Sequence, residues 1–109
     1  MKSTEKETQK QILDFLELKG IFHWRQNSGK IFVRGHMYSF ASINGIPDIV
    51  AILDGKFIAI ECKDRKGKLN ENQIEFKKNL ENAGGMFIIA RSIDDILPVF
   101  AHYGTSKAR

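Results

Sequence analysis

The hydrophobic pattern changes period several times along the chain, and each change marks an element. In residues 3–19 the apolar positions Ile12, Leu13 and Leu16, with Phe15 beside them, recur at helical spacing. This predicts an amphipathic helix capped by Ser3 or Thr4 and stopped by Gly20. Residues 21–24 read as a short strand and residues 25–30 as a polar loop. Residues 31–34 and 37–40 are expected to pair across Gly35-His36. Two apolar runs rich in β-branched residues then flank Asp54-Gly55, a strong hairpin signal because a two-residue type I′ turn needs positive φ at both positions. Residues 64–68 are charged and turn-like. Asn70 caps a predicted helix over 71–83, with Gln73 three residues on as in a capping box, and Gly84-Gly85 ends it. Residues 86–90 form a buried strand. The strand–helix–strand link predicts that it runs parallel to the preceding strand through a right-handed crossover. Ser92 opens a last helix over 93–103, limited by Pro98.

The central hairpin carries the chemistry. With Asp54-Gly55 as its loop, Leu53 pairs with Lys56 and Ile52 with Phe57. Counting outward sets Asp48 opposite Glu61, with Cβ atoms roughly 4.5–5.5 Å apart. Alternation puts Lys63 on the same face. Both faces of the hairpin are otherwise apolar, so both are expected to be covered. Two carboxylates held that close repel unless something neutralises them. A divalent cation does so, and hard oxygen donors suit magnesium or manganese. The competing reading is a salt bridge between Lys63 and one carboxylate at a strand end.

A third acid enters from the first helix. At about 100° per residue, Glu5 lies within roughly 20° of the line of Ile12 and Leu16, whereas Glu7 points away. Glu5 is therefore the better candidate for a carboxylate facing the interior. Stabilisation of the helix N-terminus accounts equally well for an acid at this position. His23, His36 and His102 show no metal-ligand spacing.

Composition narrows the class. The 109 residues suit one domain, residues 1–109, with a modest core. No apolar run is long enough to span a membrane and no signal-peptide pattern opens the chain. The sole cysteine, Cys62, falls in a predicted buried strand, which excludes an internal disulfide and points to an intracellular location. The net charge of +4 favours a polyanionic partner.

The spaced residues Gly45-Ile46-Pro47-Asp48, Ile60-Glu61-Cys62-Lys63, Gly67, Leu69 and Gln73 resemble the signature of the PD-(D/E)XK nucleases. In particular the chain is similar to the VRR-NUC branch and its small stand-alone, phage-type members, over nearly its whole length. The resemblance implies an α/β fold with a restriction-endonuclease-like core. That core is a mixed sheet of about four strands flanked by helices, in the order α-β-β-β-α-β. It further implies a metal-dependent, structure-selective DNA endonuclease similar to Holliday-junction resolvases, acting as a homodimer on branched DNA. Asp48, Glu61, Lys63, Gln73 and Glu5 would be catalytic. Mg2+ or Mn2+ would be held by Asp48, Glu61 and the Cys62 carbonyl. The Arg25-Asn27-Ser28 stretch would contact phosphate, with Lys30, Arg34, Lys66 and Lys68 flanking it. Gln73 has a complete explanation as a cap, so its functional role rests on the resemblance. Two alternatives stay open: a non-catalytic nucleic-acid-binding module of the same fold, and a nuclease acting on RNA or single strands, since backbone contacts carry little sequence information.

Overall fold

The computed structural model describes residues 4–26, 30–39 and 45–101. The elements in order are α1 (Glu5–Leu18), β1 (Phe22–Arg25), β2 (Lys30–Val33), β3 (His36–Ser39), β4 (Ile49–Leu53), β5 (Lys56–Cys62), α2 (Glu71–Asn82), β6 (Met86–Ala90), a single 3₁₀ turn (Ile93–Asp95) and α3 (Leu97–Phe100). β1, β4, β5 and β6 form a mixed sheet in that spatial order. β1–β4 and β4–β5 are antiparallel, and β5–β6 is parallel. Together with α1 and α2 this is the expected α-β-β-β-α-β core, with β2–β3 as a separate hairpin.

Local chemistry sets the element ends. Thr4 and Glu7 close a capping box at the start of α1. Its end is a Schellman motif: Ile21 N–H reaches Leu16 O at 3.0 Å and Gly20 N–H reaches Glu17 O at 3.1 Å. The Asp54-Gly55 turn has φ of 52° and 80°, the I′ signature, and its register is the expected one, Leu53 to Lys56 and Ile52 to Phe57.

Two expectations are corrected. The first hairpin turns at Arg34-Gly35, with Val33 paired to His36, so His36 belongs to β3 and not to the tip. Arg34 takes φ of 50° beside Gly35 at 79°, which completes the two positive-φ positions a two-residue turn needs. The final helix does not run through 93–103. It breaks into the 3₁₀ turn and α3, because Pro98 lacks an N–H and fits only the first turn of a helix.

The sheet has one heavily packed face. Ile49, Ala51, Ile58, Ile60 and Cys62 meet Ile12 and Leu16 of α1, with Ala90, Ile96 and Phe100 completing the cluster. Each fully buried Ile or Leu there contributes about 1.5–3 kcal/mol. The opposite face carries Val50, Ala59 and Phe87, also buried. α2 lies over its β6 side, where Phe76 meets Phe87 with ring centroids 6.2 Å apart. No residue of α2 is fully buried, so this layer is thin.

Gly45 lets the chain entering β4 approach the start of α2 closely. It has φ of 77°, and a Cβ there would run into the backbone of Asn72 and Gln73. The chain entering β4 thus lies directly against the first turn of α2. Gly20 also has positive φ, 71°, but a Cβ there would meet nothing. Gly20→Ala should therefore cost only the left-handed backbone penalty, about 1–2 kcal/mol. Gly45→Ala should add an overpacking term, for about 2–5 kcal/mol in all, read from urea melts. Equal losses at the two positions would show that the Gly45 contact does not hold the helix.

Candidate active site

The β4–β5 register ends at Ile49–Ile60, and one further step sets Asp48 opposite Glu61. Asp48 is held at two points. Its main-chain oxygen accepts from Gln26 N at 2.7 Å, and its carboxylate Oδ2 accepts from Cys62 N at 2.9 Å. Glu61 is only 4% exposed. Its Oε2 accepts from Gln73 Nε2 at 3.0 Å and lies 3.5 Å from Lys63 Nζ. Its Oε1 is buried with no hydrogen-bond partner among the described residues. The Glu61–Lys63 ion pair, the plainer of the two readings drawn from the sequence, is thus present. It leaves half of the carboxylate unsatisfied.

Gln73 serves two partners with the two ends of one amide. Oε1 accepts from Asn70 N at 2.9 Å, closing the capping box of α2, while Nε2 holds Glu61. Helix start and acid are thereby locked together.

Electrostatics follow from the burial. The Glu61 carboxyl is pushed up from 4.5 to about 7, first by desolvation and then by the Asp48 charge. Lys63 opposes this and Glu5 adds to it. The Cys62 thiol is pushed up to about 12, again chiefly by burial, with Asp48, Glu61 and Glu5 contributing. It stays protonated at neutral pH and is a core side chain, not a nucleophile.

The remaining candidates divide. Glu5 is exposed, not buried, yet its charge bears on both Glu61 and Cys62. Glu7 is taken up by the capping box. Arg25 pairs with Ile49 and so shares the α1 face, where it lines a cleft with Lys6, Lys10 and Leu13. It therefore lies on the face opposite Glu61. Arg34, Lys66 and Lys68 are exposed, and Lys30 opens β2. Asn27 and Ser28 lie outside the described residues.

One positioning group had no sequence signal. Arg91, just after β6, donates from one guanidinium nitrogen to Asp64 O and Gly67 O, both at 2.7 Å. Asp64 Oδ1 in turn accepts from Lys66 N at 3.0 Å and Gly67 N at 2.6 Å. The loop that follows Lys63 is thus tied from inside and from the neighbouring strand. A lone arginine after a strand gives no hint of such a contact.

Among the described residues, no three His, Cys, Asp or Glu side chains converge as a ready-made metal cage. The donor set is a carboxylate pair. That fits magnesium, which is commonly bound by one or two carboxylates, with water and substrate phosphate completing its shell. The unpartnered buried Oε1 is the specific sign that the pair is incomplete as it stands.

A mixed α/β sheet that presents an Asp opposite a Glu-x-Lys at one end defines the class: a PD-(D/E)XK-superfamily nuclease domain. Comparison with known families narrows it. The family model of the archaeal Holliday junction resolvase (Hjc) matches residues 17–101, well over half of the 109-residue chain. The chain belongs to that family. The match is to the resolvase and not specifically to the VRR-NUC branch. It begins after Glu5, so it carries no information on that residue. No curated protein matches the chain.

Because folding raises the Glu61 pKa, the folded state prefers the protonated carboxyl. Its contribution to stability is fully present below about 4.5 and is lost as pH rises through about 7. Denaturation in EDTA should show stability falling across that window, and Glu61→Gln should flatten the fall. An unchanged slope in the variant would place the pH dependence elsewhere.

Proposed function

We propose that this chain is a divalent-metal-dependent endonuclease that cuts branched DNA, acts as a homodimer, and takes four-way junctions as its substrate class. The observation that supports it best is Glu61: a buried carboxylate fixed through one oxygen by Gln73 and Lys63, with the other oxygen unpartnered among the described residues. A purely structural acid is expected to have both oxygens satisfied. The resolvase family supplies the substrate class, and a symmetric junction that needs two cuts suits a two-fold dimer of single-site domains. The VRR-NUC branch is a finer alternative within the superfamily, resting on Glu5, Gly67, Leu69 and Gln73.

Asp48 and Glu61, with the Cys62 carbonyl, would hold Mg2+ or Mn2+. When bound, the ion supplies an acidified water and a polarised phosphate. The protein's own groups do the rest. Gln73 keeps the Glu61 carboxylate from rotating. Lys63 carries three donors and no acceptor, so it is no ligand. It offers positive charge to the phosphate oxygens as negative charge builds. Glu5 adds acid from α1. Arg34, Lys66 and Lys68 are exposed cations for the strand's phosphates, with Lys30, Asn27 and Ser28 as further candidates. Arg25 would meet backbone that passes over the α1 face.

Binding of manganese should raise the melting temperature, because it relieves the repulsion between the two carboxylates. Asp48→Asn should lose most of that rise. The same rise in wild type and variant would rule out this pair as the metal site.

Lys63→Met keeps the stem and removes the charge. The variant should fold, bind manganese and bind junction DNA, while its single-turnover cleavage falls on the order of 10²-fold or more. A non-catalytic module predicts instead that wild type with manganese cuts neither junction, flap, duplex nor single strand. Cleavage at the wild-type rate by the variant would remove Lys63 from the chemistry.

A further inference from the structure

β1 is an edge strand of the sheet, and it exposes two aromatic side chains. Phe22 is 69% exposed and Trp24 38%. Two residues apart on one strand, they share a face. Their rings lie 5.7 Å apart, tilted by 56°. The indole is also oriented: Trp24 Nε1 donates to Gln26 Oε1 at 3.0 Å. Its only donor is thereby satisfied within the chain, so what Trp24 presents outward is ring surface.

The register tells which face this is. Phe22 pairs with Ile52 and Trp24 with Val50. Directly opposed residues point to the same side, so both rings lie on the Val50–Ala59–Glu61 face and not on the α1 face. β1 continues into Gln26, whose N–H bonds Asp48 O at 2.7 Å. Trp24 therefore stands two residues of strand, roughly 7 Å, from the position of Asp48. That is within the reach of one nucleotide from phosphate to base. α2 packs at the far side of this face, on β6, and among the described residues Phe22 and Trp24 stay exposed on the β1 side.

We propose that Phe22 and Trp24 form a stacking platform for a nucleobase that has lost a stacking neighbour, at the exchange point of a junction or at a flap, beside the acidic site. The proposal rests on the nuclease reading above and adds how a branch is told from continuous duplex. A duplex keeps its bases stacked on one another and offers none to the rings. A strand leaving a branch point presents an aromatic face, which stacks on any aromatic side chain whatever its sequence. The two rings bury about 150–250 Å² each at most, below the ~800 Å² per partner of a stable protein interface. They suit a base better than a second copy of the chain.

Trp24 is the chain's sole tryptophan, so its emission reports the contact directly. Metal-free protein in EDTA is titrated with a flap duplex and with a blunt duplex of equal length. The flap should quench the emission strongly and the blunt duplex should not. Trp24→Ala should weaken flap binding about tenfold or more while blunt-duplex binding changes less than twofold. Trp24→Phe should retain most of the affinity, which separates stacking from a folding defect. Equal quenching by both DNAs, equal loss on both or loss on neither would overturn the platform. So would sedimentation showing that Trp24→Ala turns a dimer into monomers, since the rings would then be a subunit contact. Because no metal is present, a protein that stacks the flap but never cuts fails the nuclease reading alone. One that cuts without stacking fails this proposal alone.

Discussion

The desolvated carboxylate of Glu61 is the constraint around which the other parts are arranged. Burying a charge is costly unless it is paired and hydrogen-bonded. Two groups answer that cost: Lys63, two residues further along the chain, supplies an ammonium group, and Gln73 of α2 supplies an amide. The entry to β4 works against them, bringing a second acid close enough to raise the pKa of the first. The compensation is incomplete, because one oxygen is left without a partner among the described residues. A fold selected for stability alone would have no reason to keep that arrangement. Sites that bind cations or do chemistry commonly retain this kind of local penalty.

The two faces of the sheet divide the work. The α1 face is a continuous aliphatic cluster in which Ile12, Leu16, Ile49, Ile60, Ile96 and Phe100 are fully buried. It provides the rigid frame. The other face is covered by a helix with no fully buried residue. Glu61, Lys63 and Gln73 lie where that thin cover meets the end of the sheet. A site needs approach from outside, and a lightly covered face permits it without opening the core.

Much of this was legible in the chain itself. Asp54-Gly55 set the hairpin register, and the register alone put Asp48 across from Glu61. Asn70 and Gln73 announced the start of α2. These are local rules, with period and turn chemistry acting over a few residues. What the pattern missed depends on contacts between distant segments, or on choices that local composition leaves balanced. The first hairpin has one glycine, which fits a turn at Arg34-Gly35 or at Gly35-His36 equally well on composition. Alternation along four residues did not by itself assign Arg25 to the α1 face, because that needs its partner Ile49. The Arg91 tie to a loop more than twenty residues away has no periodic trace. Glu5 falls on the helix line of Ile12 and Leu16 by angle, yet it is exposed, because helical angle alone does not say how far the sheet extends beneath it.

The shared amide of Gln73 has a consequence for how this domain can change. The same side chain decides where a helix begins and how an acid is oriented. A change at the front of α2 therefore also moves the hydrogen-bond partner of Glu61. A deletion or insertion of one residue between Asn70 and Gln73 would break the capping box and turn the rest of the helix by about 100°, carrying the amide away from Glu61. Helix start and carboxylate orientation are thus set by one side chain here. The loop between β5 and α2 carries constraints of its own, through the Asp64 side chain that ties Lys66 and Gly67 and through the Asn70 cap.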